Sequence, residues 1–516
     1  MKSNQFIKKV PSLYKILFFI SISSILVLVY HHNYQLMNRD GIYYIRLAKY
    51  VYHGDWVTAF QQRDTPFIPM LIVFAYQLLG NWVLAGYLVS YLAFVLAIIP
   101  FYFLAQRIFD EQTAFVSSLF FSCSPIFCSA ASSITRDSVF ILFSMIFFLY
   151  SYLASQEKKA FYYWCIFLSL IAASLCRVEG VLIFLAYSLT LVWRGITGKN
   201  IKTKRFTWGG ILVICVAGLL FNPYHTMVKI KRLDDITKTL RNPIQMYRSL
   251  PLHQVIKQLK QLEKKTVGGG YGGDCVETAR NTILLIYLIS ILNTWQLSAF
   301  PTMFILGMIG IISYLRKNDR RGRVFLYWMV FLLVPPYLFL LKYNFTSRRY
   351  LMLADVILYF WAGVGFWTSW KWIKKKASLR ESFCWLFLAL IVSISCGKII
   401  FRHVVDGKNL IQASHWMQQR NTKKRFFITN DSRFLFYAGL PGDTTEARKF
   451  VIRTKRTEDL LEAARKLDAH WIIVKNPTPF PLIGSPVKIF PGNKLNVYVY
   501  KLADQQSAKK YNNSER

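Results

Sequence analysis

The chain reads as a polytopic α-helical membrane protein with a small α/β domain towards its C-terminal end. Three observations predict this. Of its 516 residues, 54% are hydrophobic and 16% aromatic, and the apolar residues come in blocks. Several blocks run for about 18 residues or more with almost no charge, enough to cross a hydrocarbon core about 30 Å thick. The formal net charge of +38 is gathered into short segments between blocks, as in Arg194 to Arg205, Arg316 to Arg323 and Lys371 to Arg380. From Arg402 onward the blocks give way to polar sequence with short β-rich runs. The strand alternation of an outer-membrane barrel is absent, so the blocks are helices that satisfy their own backbone groups.

The first block, about Leu13 to Tyr30, follows Lys2, Lys8 and Lys9. No small-residue cleavage site comes after it, so an uncleaved signal anchor is expected rather than a leader peptide. With the basic N-terminal end inside, this span delivers the segment from His31 to Thr65, and with it Asp40, to the outside. Ile42 to Trp56 carries apolar and aromatic residues at helical spacing among Arg46, Lys49 and His53, the pattern of an amphipathic interfacial helix. Pro69 to Gly80 is apolar but too short to cross alone. Spans follow at about 82–104, 114–130, 138–153, 161–176, 181–193 and 209–221. They alternate so that Asp137, Arg177, Glu179 and His225 fall outside, and the basic loops inside.

The stretch 227–280 is long, polar and rich in lysine, which counts against an outer location, although long loops obey the charge rule poorly. The apolar run from Thr282 to Leu315 is read as an interfacial helix followed by one crossing, at about 300–315. Spans at about 324–341, before Lys371, and at about 384–400 complete the membrane part, residues 1–400, with about 11 to 13 transmembrane helices expected in all. Residues 401–516 form the α/β domain. Strands are expected at Arg425 to Asn430, Trp471 to Lys475 and Val497 to Tyr500, with a helix from Thr457 to Leu467.

Several function classes lose support at this level. Lys and Arg spread over loops mark topology, and anionic lipid on the cytoplasmic face favours them further; nucleic acid is not the expected partner. Seven of the eight cysteines lie in or beside apolar blocks, only Cys275 lies in a polar loop, and no CxxC or zinc-type His/Cys spacing occurs. Neither a disulfide framework nor a metal site is indicated. Gly268 to Gly273 lacks the GxxxxGK[ST] order of a phosphate-cradling loop.

The chemistry-bearing residues gather at span ends on one face: Asp40, Asp137, Arg177, Glu179, His225, Lys342, Arg348 and Arg349. A carboxylate at a membrane surface costs solvation free energy and needs a partner or a task. It can serve as general base, and guanidinium groups can hold a phosphate bidentately. Each also has a plainer reading. Asp40 fits a helix cap, Arg348 and Arg349 fit snorkelling anchors, Glu179 fits the ion-pair partner of Arg177, and His225 fits a polar loop residue.

Arg39-Asp40-Gly41-Ile42-Tyr43-Tyr44, then Gly54-Asp55-Trp56 and the stretch from Pro66 to Leu79, resemble the first external loop of the bacterial members of glycosyltransferase family 39. These are GT-C fold enzymes related to protein O-mannosyltransferases and lipid A aminoarabinose transferases. Thr135-Arg136-Asp137-Ser138, Arg177-Val178-Glu179-Gly180 and Arg349-Tyr350-Leu351 resemble three further motifs of that family. Val178 stands where proline is usual, and Gly41 where many relatives carry a second acid, so a metal bridged by an acidic pair is less expected here.

The resemblance implies inverting transfer of a sugar from a polyprenyl-phosphate donor to an extracytoplasmic lipid, polysaccharide or protein, without a nucleotide sugar at the active site, by an enzyme of a bacterial inner membrane; no cofactor is expected, with a divalent cation left open. Asp40 would be the general base and Asp137 a second acid. Arg177 and Arg349 would meet the donor phosphate, with Glu179, Arg348, Tyr350 and His225 around the substrates. A transporter or flippase of a lipid-linked saccharide, or a non-catalytic assembly subunit, is the alternative; the charges at span ends rather than at the midplane favour the enzyme.

Overall fold

The structure, a computed structural model, describes residues 11–188, 251–316, 322–401, 407–438 and 457–502, apart from short gaps within these stretches. His225, the predicted span at 209–221, the end of that at 181–193 and the first part of the loop 227–280 lie outside the described residues. Two compact units emerge, one made of Met1–Leu28 and Leu47–Ile400 and the other of Val29–Arg46 and Phe401–Arg516.

The first unit is a bundle of apolar helices. Among the described residues, six are long and apolar enough to cross a membrane: Ser12–His32, Trp82–Ile108, Asp137–Gln156, Val324–Tyr343, Met352–Ala377 and Phe383–Ile400. Shorter apolar helices include Phe67–Leu79, Ala160–Cys176 and Pro301–Arg316. The protein is therefore an integral membrane protein of the helical kind. Leucine, isoleucine and aromatic side chains stand exposed along Phe67–Leu79, Val324–Tyr343 and Phe383–Ile400, as lipid-facing surfaces do. Met352–Ala377 is the enclosed helix, with 78% of its apolar stretch buried.

Its packing depends on small residues. A Cβ added at Gly365 would lie 1.8 Å from the Leu306 carbonyl oxygen, and one at Gly310 would lie 2.0 Å from that of Trp361. The helices Pro301–Arg316 and Met352–Ala377 thus touch backbone to backbone, the contact by which membrane helices associate without a hydrophobic drive between them.

One predicted span takes a more broken course. The run expected at 114–130 folds as Glu111–Ser122 and Pro125–Ala131, bent by 56°, because Pro125 lacks the N–H that would continue the ladder and instead starts a new helix. The run from Thr282 to Leu315 forms two helices, Ile283–Ala299 and Pro301–Arg316, divided near residue 300 as expected, at Phe300, whose φ is +72°.

In the second unit, residues 401–502 build a four-stranded sheet from β1 (Phe427–Thr429), β2 (Trp471–Asn476), β3 (Lys488–Phe490) and β4 (Asn496–Lys501), in the order β1-β2-β4-β3. β1 and β2 are parallel and the other pairs antiparallel. Because strand side chains alternate, Trp471, Ile473, Val497 and Val499 pack on one face with the helix Lys408–Arg420. Ile472, Val474, Tyr498 and Tyr500 pack on the other with the helix Thr457–Lys466.

The N-terminal contribution to this unit comes from the end of the first span. Leu36 is fully buried in the core with Leu410, Met417 and Phe434. The Met37 N–H donates to the Tyr437 hydroxyl at 2.9 Å, and Arg39 stands 4.0 Å from Asp431.

Candidate functional site

Three local structures bring the predicted charges together in the membrane unit. Asp137 opens the helix Asp137–Gln156, where a carboxylate is favoured by the N-terminal helix dipole. Arg177 caps Ala160–Cys176, its N–H donating to the Ala173 carbonyl at 3.0 Å while its own backbone is extended. The Gly180 N–H closes back on the Arg177 carbonyl at 3.0 Å. A Cβ at Gly180 would fall 2.4 Å from the Ala173 backbone, so only glycine lets this turn fold so tightly onto the preceding helix. Arg349 sits on a single 3-10 turn, Arg348–Tyr350, just before the enclosed helix Met352–Ala377.

The pairing among these groups is specific. The Arg177 guanidinium donates through Nη1 to Asp137 Oδ1, through Nε to Glu179 Oε2 at 3.1 Å and through Nη2 to Glu179 Oε1 at 2.6 Å. It also lies over two rings, those of Phe140 and Tyr350, each 5.6 Å away. Arg349 Nε donates to the other Asp137 oxygen, Oδ2, at 2.7 Å.

The two arginines differ in exposure. The Arg177 side chain is 4% exposed and that of Asp137 2%, whereas Arg349 is 40% exposed. Arg177 is therefore enclosed between two carboxylates and two rings, which supply the partners a buried cation requires. Arg349 shares one carboxylate and faces outward. The surrounding pocket is lined on its apolar side by Phe140, Ile141, Leu182, Phe331, Leu332 and Pro335. Cationic and apolar surfaces thus adjoin, a combination suited to an amphiphile that carries an anionic head.

The remaining predicted residues fall elsewhere. Asp40 is half-buried in the first turn of the helix Arg39–Tyr52 and belongs to the second unit. The sequence places it in the external segment just ahead of a helix from Ile42, in a loop or at the cap; the helix starts three residues earlier, at Arg39, which puts the acid where the dipole favours it. Arg348 is exposed, and its carbonyl accepts from the Ser298 hydroxyl at 3.1 Å. Tyr350 lines the pocket, and His225 lies outside the described residues. Among the described residues no group of three or more His, Cys, Asp or Glu side chains is arranged to hold a metal.

Sequence reasoning missed Asp355 and Ser298 behind the 3-10 turn. An acid inside the apolar run after Arg349-Tyr350 was the available signal for the first; a serine in an apolar helix offered none.

The fold defines the class: it is that of the GT-C glycosyltransferases. ArnT from Cupriavidus metallidurans in the apo state is 15% identical, with 94% of this chain and 98% of that one covered at a TM-score of 0.51. The same enzyme bound to undecaprenyl phosphate is 14% identical, with 96% and 99% covered at 0.51. The Archaeoglobus fulgidus oligosaccharyltransferase, tethered to an acceptor peptide containing the NVT sequon, is 13% identical, with 90% and 70% covered at 0.52.

At the level of sequence, residues 63–222 match the dolichyl-phosphate-mannose-protein mannosyltransferase family. This agrees with the resemblance that the motifs carry. The matched stretch includes Asp137, Arg177 and Glu179 and begins after Asp40. No sequence among curated proteins matches the chain.

Proposed function

We propose that this protein is a membrane glycosyltransferase that moves a sugar from a polyprenyl-phosphate donor to an acceptor on the outer face of the plasma membrane, with inversion. The observation that carries this reading is the half-exposed Arg349 beside an apolar wall, held at Asp137. A polyprenyl phosphate has an anionic head and a hydrocarbon tail, and this surface complements both. Arg177 and Glu179 are the scaffold beneath it, and Asp137 orients Arg349.

In the step itself, the Asp40 carboxylate takes the proton of an acceptor hydroxyl. The freed oxygen attacks the anomeric carbon as the bond from that carbon to the phosphate oxygen breaks. The leaving polyprenyl phosphate gains one negative charge, which Arg349 stabilises as it develops. The reaction needs no resident metal in this reading, because the arginine supplies the positive charge a metal would otherwise bring.

The test is transfer of label from a polyprenyl-phosphate sugar by the purified protein. Asp40→Asn is expected to lower turnover by about 10²- to 10⁴-fold, the usual contribution of a general base. Undiminished transfer in that variant would remove Asp40 from the role. Export of intact lipid-linked saccharide without transfer would replace the transferase with a transporter.

A further inference from the structure

Behind the 3-10 turn that carries Arg349 lies a buried acid that the reaction itself does not use. Asp355 is 0% exposed, one turn into the helix Met352–Ala377. Its Oδ2 is hydrogen-bonded to the Ser298 hydroxyl, which comes from the end of the helix Ile283–Ala299. The same hydroxyl reaches the Arg348 carbonyl at 3.1 Å. The Trp295 indole borders the carboxyl, and no cation among the described residues pairs with it. One turn further on, the Tyr359 hydroxyl donates to the Ala299 carbonyl at 2.8 Å and meets the Ser124 hydroxyl at 2.9 Å. Two consecutive residues, Ser298 and Ala299, are thus fastened to the enclosed helix. They immediately precede Phe300, whose φ of +72° is a conformation that persists only where the surroundings impose it.

A hydroxyl has one proton, and Ser298 faces two oxygens. An ionised Asp355 would compete with the Arg348 carbonyl for that proton and leave one of the two contacts oxygen against oxygen. A neutral acid satisfies both, donating to Ser298 Oγ while Ser298 donates to the Arg348 carbonyl. A lone carboxylate in such surroundings would also lack the partner that buried charge requires.

We propose that Asp355 is a positioning residue: as a neutral carboxylic acid it locks Ser298 onto the Arg348 carbonyl and so fixes the turn that presents Arg349 to the donor phosphate. This rests on the reading of Arg349 as the phosphate-binding group. The proton relay is local and consumes nothing.

The test uses full-length protein in detergent, with a polyprenyl monophosphate as binding probe and transfer as a second readout. Asp355→Asn, whose amide still donates to Ser298, is expected to bind the probe within about threefold of wild type. Asp355→Ala and Ser298→Ala are each expected to weaken it by about tenfold, raising the donor KM and leaving the acceptor KM unchanged. In an Arg349→Ala background, Asp355→Ala should add nothing further, since coupled residues are not additive. The infrared spectrum of wild type should carry a protonated-carboxyl band that Asp355→Asn lacks, a readout independent of whether the alanine variants fold.

Asp355→Asn as damaging as Asp355→Ala, additivity with Arg349→Ala, or absence of the band would each overturn the latch. Probe binding indifferent to Arg349→Ala would overturn the phosphate reading instead, and the latch with it. Asp40→Asn separates the two questions, because it should lower transfer by about 10²- to 10⁴-fold, as expected of a lost general base, and leave probe binding intact.

Discussion

Arg177 and Arg349 share one carboxylate, yet they answer to different demands. Arg177→Ala would leave Asp137 without one partner and Glu179 without its bidentate one, both in enclosed positions. Breaking a buried pair from one side costs about 3–5 kcal/mol, so this variant is expected to fail in thermal unfolding before it can be assayed. Arg349→Ala should fold normally and lose donor affinity by about 10- to 150-fold, as a charge-assisted hydrogen bond worth about 1.5–3 kcal/mol implies; donor titration against melting temperature separates the two.

Asp431 offers a pH test. Burial raises its pKa, but the hydrogen bonds and charge of Arg433, with Arg39 nearby, outweigh burial and hold the carboxyl below its ordinary value. A depressed folded-state value stabilises the fold above the unfolded pKa, about 3.9, and that contribution fades as pH falls through the lower folded value. Hydrogen-exchange protection across 427–437 in the full chain, relative to the intrinsic rate at each pH, should therefore fall below about pH 4, and Asp431→Asn should flatten that dependence.

The sequence shows both arginines as interfacial cations of equal standing. Their pairing joins positions 137, 177 and 349, and no local pattern encodes which of them ends up enclosed.

Helices were the legible elements, because apolar runs bounded by charge leave few alternatives in a bilayer. What escaped is where packing decides. The bend before Pro125 divides a run that hydropathy reads as continuous, whereas the division near residue 300 was legible and only the positive φ of Phe300 was not. β3, only three residues long with Lys488 and Ile489 exposed, carries too little alternation to be seen, and the helix Lys408–Arg420 was hidden by its polarity.

Glycine also gained meaning only from contacts. Gly365→Leu would drive a side chain into the Leu306 carbonyl and separate the two closest helices, so detergent-stable folded protein should not be recovered by size-exclusion chromatography. Gly180→Ala is milder; it must shift the Arg177 turn away from Ala173, and both melting temperature and transfer are expected to fall together.

At the scale of the whole chain, the boundary near residue 400 was legible as a change of composition, but the return of residues 29–46 to the C-terminal unit was not. The contact is made by Leu36, a lone apolar residue that no periodicity marks, and by backbone and side-chain bonds spanning some 400 positions. Removing residues 401–516 should leave a membrane-inserted protein with normal helical circular dichroism that has lost transfer, because the segment before Asp40 has lost its core. Addition of a chelator to the intact protein is expected to leave transfer unchanged, as the metal-free step requires.

The burial of Leu36 also sets an order in time. Ribosomes add about 5–20 residues per second, so Leu36 emerges roughly 25 to 90 seconds before Val499. For most of synthesis the partner core does not exist, and the acid-bearing segment has nothing to fasten to. Completion of the last strand is what supplies the fastening, so a half-made chain in the membrane stays silent until its own far end arrives.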